Sequence, residues 1–224
     1  MKTTDQLKLQ THFSFEDLLD IMAILRSENG CPWDREQTHE SIRENLLEEA
    51  YEAAEAIDLK DPDLLAEELG DVLLQVVFHC QIAGEEDRFD IGKVLDGICE
   101  KLIVRHPHIF SDVKADTASE VLSNWDAIKQ QTKKRKNVGE ELDGICRALP
   151  SLIRAEKIAS KLRKRDLSEP VSIGETKLSD LTADTLGDAL YYLTAKASEW
   201  GVSAEECLER KSESIVKKHT ETLH

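Results

Sequence analysis

The feature that most constrains the fold is a very short connection between two amphipathic segments, residues 36–59 and 61–83. Both segments repeat apolar residues at the three- and four-residue spacing of an α-helix. Asp61 is a typical N-cap residue and Pro62 suits the first helical position, so a new helix is predicted to begin directly after the first one ends. Helices joined by so short a connection pack antiparallel. The sequence therefore predicts a helical hairpin that turns at residue 60.

The rest of the chain is also predicted to be helical. Gly and Pro number only 10 and 5, which argues against a β-sandwich with many turns. Candidate N-cap residues precede several of the segments, namely Ser14, Asp90, Thr117 and Ser203. The further predicted helices cover residues 14–28, 91–105, 117–134, 143–164, 178–199 and 203–219, with a loop at 167–178. The predicted fold class is all-α.

Acidic residues cluster on the predicted hairpin. The first helix carries Glu48, Glu49 and Glu52, and the second carries Glu68 and Asp71. Residues three or four apart share a face of a helix. Positions 49 and 71 are equally far from the turn, as are 52 and 68, so each pair is expected to lie level across the hairpin. Packed helices lie about 8–10 Å apart between their axes, and these carboxylates could therefore share one metal ion.

The chemistry of this cluster favours a hard divalent cation. Carboxylates crowded in a partly buried groove must either take up protons or surround a cation. Oxygen ligands select Mg²⁺ or Mn²⁺ over zinc, and Mg²⁺ commonly takes further ligands from substrate phosphates. The competing interpretation is a solvated acidic face. Apolar residues such as Leu46, Ala50, Val72 and Val76 place the acids at the border of the buried face, which favours the metal site.

Charge and composition limit the partners. The net charge of −16 argues against binding of a nucleic-acid polymer, whereas a small polyphosphate can be held through a divalent cation. No apolar run reaches the roughly 18 residues that a membrane helix requires. Residues 1–11 lack the apolar core of a signal peptide, and the five cysteines form no Cys-x-x-Cys pair. A cytoplasmic protein with free thiols and no membrane contact is predicted.

Four motifs in the first half resemble the MazG family of nucleoside triphosphate pyrophosphohydrolases. They are Cys31-Pro32-Trp33-Asp34, Glu48-Glu49-x-x-Glu52, Glu68-x-x-Asp71 and Arg105-His106-Pro107-His108-Ile109-Phe110. The acidic pattern alone is also similar to that of dimeric dUTPases and related all-α pyrophosphatases. The first and last motifs resemble MazG in particular. The resemblance covers residues 14–135 and continues weakly into the second half.

The resemblance implies an all-α fold of MazG-like helical bundles, in which antiparallel hairpins are completed by dimerisation. It implies hydrolysis of nucleoside triphosphates to the monophosphate and pyrophosphate, with Mg²⁺ as the cofactor and Mn²⁺ as an alternative. Such an activity would adjust nucleotide pools or remove damaged nucleotides. The catalytic and metal-binding residues that it implies are Glu48, Glu49, Glu52, Glu68 and Asp71. Which of them activates the attacking water is left open by the sequence.

The resemblance also implies substrate contacts. The phosphate and base contacts of the family map onto Lys101, Arg105, Trp125 and Lys129. Each of the two pairs is spaced four residues apart, so its members are expected to project together from one helix face. Lys101 also has a structural interpretation as a solvated charge at a helix end, and Trp125 as a core residue. Trp33 is a further candidate that either covers the base or packs the entry loop.

The second half carries a weak copy of the acidic helix. Leu69-Gly70-Asp71 recurs as Leu186-Gly187-Asp188, although chance similarity competes with a true repeat over so few residues. Thr185 stands where the first copy has Glu68, and no acidic cluster lies upstream of it. We therefore predict a catalytic domain over residues 1–137 and a shortened, degenerate MazG-like helical domain over residues 138–224.

Two alternatives to an active hydrolase remain at this point. The eroded second half fits a catalytically weakened helical scaffold or regulatory protein, whereas the intact acids of the first half oppose that interpretation. A di-iron bundle would require paired Glu-x-x-His motifs. The motif Glu36-x-x-His39 lies before the acidic cluster rather than within it, which disfavours a di-iron centre.

Overall fold

A computed structural model gives the fold and describes residues 2–111, 137–167 and 182–220, together with Thr117, Val121 and Ile128. It divides into two compact units, Met1–Trp125 and Asp126–His224. The described residues form helices and turns without a β-strand, which confirms the predicted all-α class. In the same part of the chain, no helix combines the length and the hydrophobicity needed to span a bilayer.

The described helices of the first unit are α1 (Thr4–Lys8), α2 (Phe15–Leu25), α3 (Pro32–Glu36), α4 (Arg43–Leu59), α5 (Pro62–Glu85), α6 (Ile91–Arg105) and α7 (Pro107–Phe110). Those of the second unit are α8 (Val138–Asp143), α9 (Ser151–Arg163), α10 (Ala183–Glu199) and α11 (Ala204–Thr220).

The predicted hairpin is present as α4 and α5, which pack along each other. Lys60 ends α4 in the left-handed conformation, with φ 57° and ψ 35°, and its amide donates to the carbonyl oxygen of Ile57 at 3.1 Å. The Asp61 carboxylate then accepts hydrogen bonds from the amides of Asp63 and Leu64, both at 3.1 Å. Because both helix ends are capped within two residues, the chain reverses direction without a loop.

The core of the first unit forms where α2 packs against α5. Its buried residues are Met22, Ile42, Val77, Phe78 and Ile82. Truncating residues of this kind to alanine costs about 2–5 kcal/mol in a close-packed core. Since α4 also packs on α5, the 24-residue α5 is the element on which both neighbours are aligned.

One predicted boundary is wrong at the start of the hairpin. The helix that was expected from residue 36 begins at Arg43, because the chain before it forms a polar turn. Gln37 has an extended backbone, and its carbonyl oxygen accepts a hydrogen bond from Arg26 at 3.1 Å. Thr38 and Ser41 exchange amide-to-hydroxyl hydrogen bonds of 2.9 and 3.2 Å. Such side-chain bonds compete with helical backbone bonds and end the helix here.

A second boundary is wrong in the second unit. The single helix expected over residues 143–164 is replaced by α8 and α9, with turns between them. Pro150 stands at the N-cap of α9 with an extended ψ of 141°. Because proline lacks an amide hydrogen and disfavours helical geometry in the residue before it, a helix can begin after Pro150 but cannot run through it.

The predicted helix starts at Ser14, Asp90 and Ser203 are confirmed, whereas α1, α3 and α7 were not predicted and α10 begins at Ala183 instead of residue 178. Ser14 and Asp17 form the expected capping box, with amide-to-side-chain distances of 2.9 and 3.2 Å. Asp90 accepts an amide hydrogen bond at 2.9 Å at the start of α6, and Ser203 accepts one at 3.4 Å at the start of α11. The predicted helix over residues 117–134 and the predicted loop over 167–178 lie largely outside the described residues.

The second unit is built on α9, which packs against both α10 and α11. Its described core is made mainly of small residues and includes Ala159, Leu162, Ala189, Thr194 and Ala197. α10 begins with a reciprocal capping box, in which the Thr185 amide donates to the Thr182 hydroxyl at 3.3 Å and the Thr182 amide donates to the Thr185 hydroxyl at 2.9 Å. Thr185, which stands at the position of Glu68 in the predicted repeat, therefore has a local structural role.

Candidate active site

The candidate site lies on the seam between α4 and α5. One carboxylate oxygen from each of Glu49, Glu68 and Asp71 lies within 4.8 Å of the other two, and all three residues are half-buried. Glu49 comes from α4, whereas the other two come from α5. We refer to these three residues as the carboxylate trio. The short capped turn accounts for their meeting, because it fixes which residues of the two helices lie level.

Burial and repulsion from neighbouring carboxylates disfavour the ionised forms of two members of the trio, Glu49 and Glu68. Burial is the main cause that raises the pKa of Glu49, and the charges of Asp71, Glu52 and Glu68 raise it further. Burial is also the main cause of the raised pKa of Glu68, followed by repulsion from Glu52, Glu67 and Asp71. Opposite charge favours the ionised form of a carboxyl group. A cation held among these oxygens would therefore relieve the repulsion that now raises both pKa values.

The two remaining acids of the predicted site are placed differently. Glu52 is exposed, yet it raises the pKa of both Glu49 and Glu68 by repulsion and by hydrogen bonding, so it borders the trio. Glu48 is exposed and is not a member of the trio. Successive residues point about 100° apart around a helix with 3.6 residues per turn. Glu48 and Glu49 therefore cannot both face α5 squarely.

The donor set of the trio fits a hard divalent cation. Carboxylate oxygens are the ligands that Mg²⁺ and Mn²⁺ prefer, whereas zinc favours nitrogen and sulfur. Mg²⁺ is octahedral and usually keeps several waters while binding one or two protein carboxylates and substrate phosphates. Glu49, Glu68 and Asp71 are the residues that would hold such an ion, and they would leave positions open for water and phosphate oxygens.

The predicted substrate residues are only partly described. Lys101 and Arg105 lie on α6, which packs on α5; Lys101 is exposed and Arg105 is half-buried at the end of the helix. Trp33 is 57% exposed, and its ring lies 6.5 Å from that of Phe78 at an angle of 57°. It is therefore attached to the core while more than half of its surface stays accessible. Trp125 and Lys129 lie outside the described residues.

A histidine pair extends the seam beyond the acids and was not predicted. The Nδ1 atoms of His39 and His79 lie 2.8 Å apart, and the two rings stack with centroids 5.1 Å apart. His79 follows Asp71 by eight residues on α5, which is two steps of the four-residue spacing that keeps residues on one helix face. This spacing could have identified His79 from the sequence. The assumption that a continuous helix begins at residue 36 hid the position of His39.

Arg26 connects the turn before α4 to the end of α5. Its guanidinium group donates to both carboxylate oxygens of Glu85, and it also donates to the backbone carbonyl oxygens of Asp34 and Gln37. The same group lies 5.4 Å from the centroid of the Phe78 ring. Arg26 thus holds α3 and the start of α4 against α5 and supports the geometry of the seam.

The fold and the site define an all-α protein whose candidate site is formed by carboxylates of one helical hairpin. Residues 37–110 match the model of the MazG nucleotide pyrophosphohydrolase domain, and this span contains the whole trio. The chain is 38% identical over 223 residues to the nucleoside triphosphate pyrophosphohydrolase of Escherichia coli (strain K12), a match that covers 91% of this chain and 85% of that protein. The chain belongs to the MazG family.

Two other relatives show how the match extends. A nucleoside triphosphate pyrophosphohydrolase/pyrophosphatase MazG of Thermotoga maritima is 38% identical over 217 residues, which cover 91% of this chain and 83% of the relative. The uncharacterized protein YabN of Bacillus subtilis is 48% identical over 153 residues, or 67% of this chain. The chain spans only 30% of the length of YabN. Both matches reach beyond the 37–110 span of the family model, since they cover 217 and 153 residues.

Proposed function

We propose that this protein is a Mg²⁺-dependent hydrolase that converts nucleoside triphosphates to nucleoside monophosphates and pyrophosphate, with Mn²⁺ able to replace Mg²⁺. The observation that carries the proposal is the approach of the Glu49, Glu68 and Asp71 carboxylates to within 4.8 Å of one another. Membership of a family whose relatives are named for this activity supports it. The proposed place of action is the cytoplasm, where hydrolysis would adjust nucleotide pools or remove damaged nucleotides.

The proposed mechanism assigns the acids a binding role and a proton-accepting role. When bound, the divalent ion would neutralise phosphate charge and lower the pKa of a coordinated water. Glu49, Glu68 and Asp71 would hold the ion, and Glu52 and Glu48 would lie beside these ligands on α4. The water oxygen forms a bond to the α-phosphorus while the bond from that phosphorus to the bridging oxygen breaks. Pyrophosphate leaves with the electron pair, and the proton of the water passes to a carboxylate of the cluster.

The proposed substrate contacts lie on the elements that flank the seam. Lys101 and Arg105, four residues apart on α6, are proposed to meet phosphate oxygens, and arginine can do so in bidentate fashion. The exposed ring surface of Trp33 suits stacking against a base. Trp125 and Lys129 are proposed to add a second stacking surface and a third cation.

A homodimer is part of the proposal. Large apolar side chains are exposed along three neighbouring helices of the first unit, and they include Leu47, Tyr51, Leu69, Leu73, Leu95, Ile98 and Leu102. A large patch of exposed apolar surface marks an interface in soluble proteins, and we propose that these side chains form such a patch. Two-fold dimers are the commonest closed assemblies. Pairing of two copies through these helices would complete the bundle that one hairpin begins.

We propose that residues 138–224 form a degenerate relative of the first domain and do not hold a second metal site. Thr185 is engaged in the capping box with Thr182, and Asp188 is exposed. A threonine hydroxyl is a poor substitute for a carboxylate as a Mg²⁺ ligand. The proposed role of this region is to support dimerisation and stability. A catalytically weakened scaffold is the alternative function that follows if the first site is also inactive.

The decisive experiment is a panel of canonical and damaged nucleoside triphosphates, assayed for pyrophosphate and orthophosphate separately. Release of pyrophosphate with Mg²⁺, and its loss on addition of EDTA, is the expected result. Asp71→Asn serves as the matched protein control, because it keeps the side-chain shape and removes one charge from the trio. Release of orthophosphate instead, or the absence of turnover over the whole panel, would favour the scaffold.

A further inference from the structure

The second unit contains a cleft that the proposed mechanism does not use. It has a volume of about 490 Å³, which falls within the roughly 300–1,000 Å³ typical of small-molecule sites. Its walls come from Glu156 of α9, Ser198 of α10, residues 201–203 of the following turn, and Glu206 and Arg210 of α11. All of them belong to the unit Asp126–His224, so the cleft is formed within one unit.

The turn between α10 and α11 gives the cleft a defined wall. Gly201 ends α10 in the left-handed conformation, with φ 72°, and the Val202 amide donates to the carbonyl oxygen of Ala197 at 3.0 Å. The Ser203 hydroxyl then accepts a hydrogen bond from the Glu206 amide at 3.4 Å at the start of α11. A Schellman-type helix end is thus followed directly by an N-cap, and these backbone bonds fix the position of the wall.

Glu156 brings a carboxylate without a charge partner to this cleft. It is half-buried, and no described side chain donates a hydrogen bond to it or forms an ion pair with it. The other charged residues of the lining, Glu206 and Arg210, pair with each other at 3.7 Å and offset one another. A half-buried charge without a partner is unfavourable, so the surroundings of Glu156 favour a positively charged ligand group.

Arg163 supplies the opposite charge beside the cleft. Its Nη2 atom donates a hydrogen bond to the Ser198 hydroxyl at 3.3 Å, and Ser198 is part of the lining. In the part of the chain that the structure describes, no carboxylate forms an ion pair with this arginine. Arg163 is exposed and can therefore bind the carboxylate of a ligand, which a guanidinium group can do in bidentate fashion.

The spacing of Glu156 and Arg163 allows one ligand to meet both. They are seven residues apart, which is close to two turns of α9, so they share a helix face with their Cα atoms about 10 Å apart along the axis. An ion pair requires an N–O distance of about 4 Å or less, and the two side chains do not form one with each other. A small molecule that carries both an ammonium and a carboxylate group can bridge them.

We propose that this cleft is a binding site for a free apolar α-amino acid, whose ammonium group meets Glu156 and whose carboxylate meets Arg163. The apolar side chain of the ligand lies against Val202, which lines the cleft and is 41% exposed. A nucleotide is disfavoured because its phosphates would face the carboxylates of the lining, and a simple amine leaves Arg163 without a partner. The site is separate from the carboxylate trio and gives the second unit a ligand-binding role.

The first test titrates the full-length protein with L-leucine, followed by calorimetry and by the NMR signals of the Gly201 and Val202 amides. Leucine is expected to bind and to shift both signals. Isoamylamine is leucine without the carboxylate, and isocaproate is leucine without the ammonium group. Each should bind at least about 10-fold more weakly than leucine, because it lacks one charge-assisted contact. Absence of leucine binding, shifts that spare both amides, or equal affinity for isoamylamine would overturn the proposal.

Variants of the two charged residues provide the second test. Glu156→Gln and Arg163→Gln should each lower the affinity for leucine about 10–100-fold. The midpoint of urea unfolding without leucine should stay close to that of wild type, since neither change removes an ion pair between described residues. Lys157→Gln is the matched control, because Lys157 is an exposed charge of α9 outside the lining, and it should retain leucine affinity.

Two outcomes of the variant test would overturn the proposal. One is full leucine affinity in Glu156→Gln or Arg163→Gln, and the other is an equal loss of affinity in Lys157→Gln. None of these measurements uses a nucleotide, so their outcome is independent of the proposed function.

Discussion

Arg26 and Glu85, which are 59 residues apart in the sequence, form a two-pronged ion pair with N–O distances of 2.7, 3.0 and 3.1 Å. The Arg26 side chain is 6% exposed, whereas that of Glu85 is 37% exposed. The pair lowers the pKa of Glu85, chiefly through the hydrogen bond from Arg26. It joins the end of α2 to the end of α5, and the turn before α4 is attached to the same guanidinium group.

Replacement of this arginine should therefore weaken the whole first unit. Arg26→Met is expected to lower the free energy of unfolding by about 2–3 kcal/mol, somewhat less than the roughly 3–5 kcal/mol lost when a fully buried pair is broken, because Glu85 stays partly solvated. Arg88→Met is the matched control, since Arg88 pairs with Glu86 on the surface. Loss of this exposed pair should lower the free energy of unfolding by only about 0–1 kcal/mol. Equal costs for the two variants in urea unfolding would contradict the assigned role of Arg26.

The histidine pair predicts a loss of stability in mild acid. Burial, followed by the charge of His39, lowers the pKa of His79 from its usual value of 6.5. The unfolded chain therefore takes up a proton at a higher pH than the folded chain does. The stability that comes from keeping His79 neutral is complete above a pH of about 6.5 and decreases as the pH falls from there toward the lowered pKa.

His79→Gln is expected to flatten this decrease, which can be measured as the free energy of unfolding at a series of pH values. His12→Gln is the control. Because His12 is exposed, this change should leave the pH dependence of the free energy of unfolding as it is in wild type. If His79→Gln and wild type lose the same stability over this window, the histidine pair is not the source of the effect.

Removing one charge from the carboxylate trio should separate catalysis from folding. Glu49→Gln and Asp71→Asn are each expected to reduce pyrophosphate release by about 100-fold or more, the scale observed when a group essential to transition-state charge stabilisation is lost. Helicity should be retained, and stability in EDTA should rise, because repulsion among half-buried carboxylates is relieved. Glu55→Gln, an exposed change on the same helix, should have little effect. An active Asp71→Asn variant would refute the assignment of the site.

Proton uptake by the trio should compete with metal binding. The pKa values of Glu49 and Glu68 are raised above the usual 4.5, so a fraction of these groups is protonated at pH values above that point. Binding of Mn²⁺ must displace those protons. Mn²⁺ affinity is expected to decrease as the pH is lowered toward the raised pKa values, with proton release detectable by calorimetry in buffers of different ionisation enthalpy. Mn²⁺ affinity that does not decrease as the pH is lowered from neutral toward 4.5 would contradict this electrostatic account.

The local signals in the sequence were sufficient for the starts of α2, α5, α6 and α11. Ser14, Asp61 and Asp90 are capping residues whose effect depends on amides within three positions, and the structure shows each of those hydrogen bonds. The hairpin register was predictable for the same reason, since a two-residue turn leaves little choice of alignment. Prediction failed at Gln37 and Pro150, where polar turn contacts and the geometry of proline interrupt patterns that look continuous in apolar spacing.

The sequence by itself determined the all-α class, the hairpin and the level at which Glu49 and Asp71 meet, because helix periodicity, caps and turn length act over a few residues. Only the tertiary structure decided that Glu48 stays outside the trio, that His39 meets His79, and that Gln75 is buried with its oxygen unpaired. These outcomes depend on how α2, α4 and α5 rotate about their axes when they pack. That rotation is set by the volumes of many side chains distant in sequence, and no local pattern records it.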